Sequence, residues 1–415
     1  MIKQYCFILG KTPILSIAEI FSLERLFGLD FKIIDLTSEI LVIETEELPV
    51  EKWQSRLGGT VKIGEMAHEF EKEDDLLQFS NLKNIKSLFN QSERKIVFGF
   101  SLYGERVKYL KDRFNEIGLN LKRELQNNGF KARFVYAPEN QLSSVQIGRN
   151  KMIDKGAEIL IISGIHGFYL GRTLSIQDYQ DYSQKDYGRP KRDMESGLLP
   201  PKLAKIMLNL SGAKPSDKIL DPFCGSGTIL QEAVLMGNQN VICSDIDKEK
   251  IIDIQENINW LFKEYNNLKR NDYNLRVYQS DVKELTGHIS PLTIDAIVSE
   301  PYLGPALRSK PASAKISKII QELEALYLAA FHAFKIILKQ GGRVVIIFPL
   351  FRSEDSVFTL KILETLVQKG FSRLNPVPDK ASFFAKIGPT ARGSLIYQRP
   401  DQKVEREIFI FEKNV

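Results

Sequence analysis

After the adjacent prolines Pro200 and Pro201, the chain alternates short apolar runs with helix-period segments, and this alternation constrains the fold more than any other feature. A helix through Leu210 precedes the strands "KIL", "NVICSD", "LRVYQSD", "IDAIVSE" and "GRVVIIFP", with helical stretches that include 316–339. Strands that alternate with helices pair in parallel and are covered on both faces. The class is α/β: a doubly wound, Rossmann-like domain of about 215 residues, 201–415, with its ligand at the strand C-termini.

Upstream, "YCFILG", "IAEIFSLERLFGL", "FKIIDL" and "EILVIET" read as strand, helix and two strands, an α+β unit over residues 1–65. A second α+β unit follows over 66–176, with a strand "KIVFGFSLY", a helix from Glu105 to Asn127, a strand "KARFVYAP", a helix "SSVQIGRNKMIDKG" stopped by Gly156, and a strand "AEILIISG". Residues 177–200 lose apolar periodicity and read as a linker or an ordered functional loop.

Charge is distributed unevenly. Ten acidic and four basic residues lie between Glu44 and Asp75, whereas ten basic and four acidic ones lie between Arg94 and Arg133. The basic window suits a polyanionic partner such as nucleic acid, and equally a solvated helix face carrying Arg106, Lys108, Lys111, Arg113, Lys122 and Arg123. Cys6, Cys224 and Cys243 lack metal-ligand or disulfide spacing and read as small buried hydrophobes, and no metal is expected. His166 and His332 read as structural. No apolar run reaches the ~20 residues that span a bilayer, and the N-terminus is a poor secretory signal. The expected location is the cytoplasm.

The strand "KIL" runs into "DPFCGSGTIL", a Gly-rich strand-to-helix turn. Gly225 and Gly227 are not followed by the third glycine of a dinucleotide fingerprint, and no Lys follows Gly227 as a phosphate loop requires. Asp221 opens the turn, Pro222 stiffens it, and the glycines let the backbone approach a ligand with a positively charged amino-acid moiety. Asp245, 24 residues later at the end of "VICSD", suits a ribose diol, and Asp281 at the end of "VYQSD" suits an adenine edge. Together they fit adenosyl-methionine.

The next strand ends in Ser299-Glu300-Pro301-Tyr302, which resembles the [Asp/Asn/Ser]-Pro-Pro-[Tyr/Phe/Trp] motif of methyltransferases acting on exocyclic base amines. Such an amine is a poor nucleophile because its lone pair is delocalised into the ring. Acceptors for its two N–H groups draw it toward tetrahedral geometry, and an aromatic ring stacks on the base. The base must be flipped or single-stranded.

With these motifs in place the chain resembles the THUMP-domain RNA methyltransferases, specifically those that make N2-methylguanosine at position ten of tRNA. "DPFCGSGTILQEA", "SDID" and "SEPYLG" are similar to the family's first, second and fourth motifs, and "RPKRDMESGLLPPKLAKIMLNL" to the segment before its catalytic domain. "FILGKTPILSIAEI" resembles its N-terminal extension. The resemblance implies a ferredoxin-like domain over 1–65, a THUMP RNA-binding domain over 66–176, a linker over 177–200 and an adenosyl-methionine-dependent class I methyltransferase domain over 201–415. It implies cofactor contacts from Asp221, Pro222, Phe223, Cys224, Gly225, Ser226, Gly227, Thr228, Asp245, Ile246, Asp281 and Val282, and catalysis by Ser299, Glu300, Pro301 and Tyr302. It further implies tRNA as partner, a small activator subunit in some relatives, no membrane association and a monomer.

The family form of the motif is Asp-Pro-Pro-Tyr, whereas Ser299 and Glu300 hold the first two places here. Serine is the weaker acceptor, so we expect Glu300 to supply the missing charge, because a buried carboxylate is costly without a cationic or amine partner. Arg106, Lys108, Lys111, Arg113, Arg189, Arg192, Arg308 and Lys310 are the candidate RNA contacts, Arg189 and Arg192 with Lys191 and Asp193 at the pocket entrance. Lys315 and Lys318 extend that set, and 383–400 reads as a loop able to close on substrate. Two other readings compete: an amino-methyltransferase acting on N6 of adenine or N4 of cytosine, and an inactive tRNA-binding homologue. A THUMP-dependent sulfurtransferase is excluded by the lack of an SGGxDS loop.

Overall fold

The computed structural model describes residues 2–89, 95–192, 198–305, 313–353, 356–378, 388–399 and 403–414. Their contacts divide into two units, one built from the residues through Ile17 with Leu29–Gln180, the other from Ala18–Gly28, Asp181–Pro378 and the residues from Gly388 onward.

The first unit is organised on one sheet of eight strands: β1 (Lys3–Leu9), β2 (Lys32–Leu36), β3 (Ile40–Thr45), β4 (Thr60–Phe70), β5 (Lys95–Tyr103), β6 (Lys131–Phe134), β7 (Gly156–Ser163) and β8 (Phe168–Ile176), in the order β2-β3-β1-β4-β8-β7-β5-β6. This corrects the expected boundary at 65/66. β4 runs straight through it, pairing antiparallel with β1 on one edge and with β8 on the other. Two expected helices are also interrupted. The first splits into Glu105–Lys108 and Lys111–Asn127, and the second into Ser144–Arg149 and Met152–Lys155, with Lys151 in the left-handed region at φ 50°.

Lys62 of β4 and Glu158 of β7 form an ion pair at 2.5 Å, with side chains only 2% and 0% exposed. Lys62 Nζ also donates to the Leu142 carbonyl at 2.6 Å, and Glu158 accepts from the hydroxyls of Thr173, at 2.5 Å, and Ser101. Burying charge is tolerated because its polar atoms are satisfied.

The second unit holds a nine-stranded sheet: β9 (Lys218–Asp221), β10 (Asn240–Asp245), β11 (Asn274–Gln279), β12 (Ile294–Ser299), β13 (Leu338–Arg352), β14 (Val357–Thr359), β15 (Phe371–Arg373), β16 (Leu395–Tyr397) and β17 (Val404–Lys413). Its main path is β11-β10-β9-β12-β13-β17-β15, with β14 on β13 and β16 on β17. The first five strands of that path pair in parallel, as the strand–helix alternation predicts. β17 then inserts antiparallel between β13 and β15. Strand order reverses beside β9, where β10 lies on one side and β12 on the other, and in open α/β sheets a ligand crevice forms at such a switch point.

The described residues of the expected linker, 177–192 and 198–200, include helix. Residues 179–183 are α-helical and 184–188 continue as a π-helix, with Tyr182, Lys185 and Arg189 buried. Lys185 pairs with Asp181 at 2.7 Å and with Glu232 at 3.2 Å. No helix among the described residues is long and apolar enough to cross a membrane.

Candidate active site

β9 delivers Asp221 to the sheet's C-terminal edge, and the chain turns through 222–227 into the helix Thr228–Leu235. The turn requires glycine twice, for different reasons. Gly225 has φ 50° and open space where a Cβ would stand; Gly227 has φ 83°, and a Cβ there would meet Ile254 Cγ1 at 2.5 Å. Gly225 therefore leaves room for a ligand, while Gly227 lets the helix Lys248–Glu264 approach. The Gly225 N–H donates to Asp245 Oδ2 at 2.9 Å, so the acid that ends β10 also holds the turn. Asp281 caps a short 3-10 helix by accepting from the Lys283 N–H at 2.9 Å.

Asp221, Asp245, Asp281 and the Glu300-Pro301-Tyr302 segment line one cavity of about 480 Å³. Pro222, Phe223, Cys224, Gly225, Ser226, Thr228, Ile246 and Val282 line it too. So do Leu198, Leu199, Lys250, Ser280, Lys283 and Leu326, which sequence reasoning did not single out. Among the described residues no His/Cys/Asp/Glu group is arranged to hold a metal. The three cysteines are free and buried.

Two of the residues expected at this site have partners within the chain. Ser299, one of the two candidate acceptors for the target amine, is 0% exposed, and its hydroxyl donates to Asp221 Oδ1 at 2.6 Å. A buried carboxylate needs donors, and the last residue of β12 is spent on that task. Burial pushes the Asp221 carboxyl up to about 7, against the opposing hydrogen bonds from Ser299 and the Phe223 N–H. Glu300 does line the cavity, yet it is not without a cation: Arg406 Nε lies 2.5 Å from Oε1 and Nη2 lies 3.5 Å from Oε2. Burial raises the Glu300 carboxyl, and Arg406 works against that rise.

Arg406 belongs to a buried charged triplet on β17, with Glu405, Arg406 and Glu407 at 3%, 2% and 1% exposed. Arg352 grips Glu405 at 2.5 and 2.9 Å, and Ser394 donates to Glu407 at 2.8 Å. The signal was present in "VEREIFIF", where three adjacent charges precede an apolar run of four.

The candidate RNA contacts are mostly engaged internally. Arg106 donates to the carbonyls of Gly164 and Gly167 at 2.5 and 3.2 Å and stacks over Phe168 at 4.5 Å. Lys108 pairs with Glu39 and Glu105 at 2.5 and 2.7 Å, Lys111 donates to the Pro138 carbonyl at 2.8 Å, and Arg113 pairs with Glu116 at 3.2 Å. Arg189, only 3% exposed, donates to Thr228 Oγ1 at 2.8 Å and braces the Gly-rich turn instead of meeting solvent. Asn257, missed in the sequence, completes that brace by donating to both the Lys191 and Ser226 carbonyls, at 3.0 and 2.8 Å. Arg192 is exposed and donates to the Asp186 carbonyl at 3.3 Å. Lys315 and Lys318 are exposed on the helix Ser313–Ile337. Arg308, Lys310, Asp193 and part of 383–400 lie outside the described residues.

Residues 189–366 match the family described as RMKL-like, methyltransferase domain, and residues 66–256 match one described as DNA methylase. The chain is 33% identical over 156 residues to a tRNA (guanine(10)-N2)-dimethyltransferase of Methanocaldococcus jannaschii, covering 38% of this chain and 43% of that protein. It is 32% identical over 206 residues to the protein of the same name from Methanothermobacter thermautotrophicus, covering 49% and 52%. By sequence, residues 189–366 resemble a methyltransferase domain, and the matched relatives are named as tRNA guanine-N2 enzymes. The matched stretches span about half the length of both relatives. In fold, the chain is similar to the crystal structure of TrmN from Thermus thermophilus, with a TM-score of 0.54, 16% identity and 99% of each chain covered. It is also similar to a possible methylase from Clostridium difficile 630, with a TM-score of 0.53, 13% identity, and 99% and 98% covered.

Proposed function

We propose that the chain transfers a methyl group from adenosyl-methionine to the N2 amine of a guanine in tRNA, at position ten. The observation that carries this reading is that the Gly-rich turn and the Glu300-Pro301-Tyr302 segment share one cavity at the sheet's switch point. The relationship to tRNA (guanine(10)-N2)-dimethyltransferases supports tRNA as substrate.

The cavity residues suit the cofactor. Three carboxylates face a region that Gly225 keeps open, and Ile246 and Val282 offer apolar surface to a flat ring. Asp221 would hold the ammonium end, Asp245 the ribose diol and Asp281 the adenine edge. When bound, adenosyl-methionine supplies an electrophilic methyl on a sulfonium sulfur. The chain's own part is to seat the base against Tyr302, accept hydrogen bonds from its amine and keep water away; the amine sheds one proton as it gains the methyl. The basic stretch of the first unit, read as a THUMP domain, would hold the tRNA.

Incubation with adenosyl-methionine and unmodified tRNA transcripts, followed by nucleoside mass spectrometry, tests the reading. N2-methylguanosine is the expected product; a methylated adenosine or cytidine instead would replace this function with the competing amino-methyltransferase one.

Two further results are expected at this site. Tyr302 is 55% exposed and lines the cavity, as a stacking platform must. Tyr302→Ala should remove ~1–3 kcal/mol of base stacking, a loss of about 5- to 150-fold in kcat/KM for tRNA, whereas Tyr302→Phe should stay near wild type. Equal values for the two variants would remove the stacking role.

Asp221 predicts a pH dependence. Its carboxyl holds a proton below about 7, and that proton must leave before a cationic ligand can pair with it. Affinity for S-adenosylhomocysteine, whose ammonium is the relevant charge, should therefore fall as pH is lowered through that value, by up to about tenfold per pH unit. Calorimetry from pH 5.5 to 8.5 checks it, and Asp221→Asn should flatten the profile. A wild-type profile that is already flat would assign the ammonium to other groups.

A further inference from the structure

We propose that Glu300, clamped by Arg406, reads the N1–H and N2–H edge of a flipped guanine and so makes this site specific for guanine over the other amine-bearing bases. This rests on the methyltransferase reading above and adds the residues that choose the base.

The geometry begins with what Ser299 cannot do. Its hydroxyl is committed to Asp221 and fully buried, so the motif's first side chain is unavailable to the target amine. Glu300 is the next residue, it lines the cavity, and its side chain is 13% exposed. Arg406 is buried on β17 and engages the carboxylate, strongly at Oε1 and loosely at Oε2. That clamp opposes the rise that burial gives the carboxyl and fixes its plane, while each oxygen retains a lone pair for a ligand in the cavity.

An ionised carboxylate only accepts hydrogen bonds. Among the bases with an exocyclic amine, guanine alone places a ring N–H beside it, so its Watson–Crick edge offers two adjacent donors that a carboxylate can take together. Adenine and cytosine place a ring lone pair beside the amine, and a carboxylate would face it repulsively. The pairing also draws on one N2–H in the base plane, which leaves the amine positioned for attack above that plane. Tyr302 at the cavity mouth then supports the ring, and Arg406 is a positioning residue that never touches the base.

2-Aminopurine separates this role from a general electrostatic one, because it keeps the 2-amino group but presents a lone pair at N1. tRNA transcripts carrying guanine or 2-aminopurine at the methylated site would be compared for kcat/KM of methyl transfer to N2. Wild-type protein should prefer guanine by about 10- to 100-fold, the discrimination expected of a bidentate base contact. Glu300→Gln should lose activity on guanine and regain it on 2-aminopurine, since an amide donates to N1 and accepts from N2–H. The wild-type comparison needs no substitution and so stands even if the variant folds poorly. Equal use of the two bases by wild type, or an unchanged preference in Glu300→Gln, overturns the assignment. Failure of wild type to methylate guanine at all would instead overturn the function on which it rests.

Discussion

Lys62→Met is expected to destabilise the first unit by ~3–5 kcal/mol, the cost of leaving a buried charge without its partner. Glu158 would keep its hydroxyl donors, Ser101 and Thr173, but lose the only ion-pair partner recorded for it among the described residues. Methionine fills the space of the lysine stem, so the loss would report charge and not a cavity. Trp53 is fully buried in the same unit and serves as a local probe in a Trp260→Phe background, followed through urea unfolding. Lys62→Met with Glu158→Gln should recover much of the loss, because replacing both charges removes the uncompensated one. A single variant within about 1 kcal/mol of wild type would mean that Glu158 does not need its cation.

Arg406→Met should have a comparable effect in the second unit and a larger one on catalysis. Removing the guanidinium leaves Glu300 buried and unpaired, again ~3–5 kcal/mol. The penalty depends on pH with a definite sign. Burial already lifts the Glu300 carboxyl above its unfolded value and Arg406 restrains that lift, so the variant's folded carboxyl must titrate higher still. Below the unfolded value both states are protonated and the deficit vanishes. As pH rises toward the folded value, the unfolded state gives up its proton more readily and the deficit grows. Denaturation at pH 5 and pH 8 should thus show a larger difference from wild type at pH 8. At pH 8 methyl transfer should fall by at least about 100-fold, because Glu300 loses the cation that fixes its plane and favours its ionised form, and Arg406→Lys should restore part of it. Undiminished turnover in Arg406→Met would show that the pair is structural only.

Much of the second unit was legible without coordinates. Strand–helix alternation specifies a parallel sheet because each helix must cover a sheet face, and the Gly-rich turn with Asp245 and Asp281 falls at successive strand ends for the same topological reason. Local patterns of this kind carry their meaning within a few residues. The antiparallel insertion of β17 was not legible, since an apolar strand at the end of a chain does not state which neighbour it will pair with.

Side-chain duties were decided by distant partners. Ser299 and Glu300 stand together in the sequence as interchangeable acceptors, yet pairing β12 beside β9 turns Ser299 onto Asp221, 78 residues away, and β17 brings Arg406 to Glu300 across 106 residues. Arg189 reads as a surface cation until Thr228 and Asn257 draw its segment onto the Gly-rich turn. The sequence by itself determined the α/β class, the cavity's strand-end acids and the resemblance to methyltransferase motifs, because these follow from local periodicity and short motifs. Only the tertiary structure decided which carboxylate keeps a counter-ion, which hydroxyl is spent and where the first unit's sheet runs unbroken, because hydrogen bonds and burial depend on residues that meet only when the chain is folded.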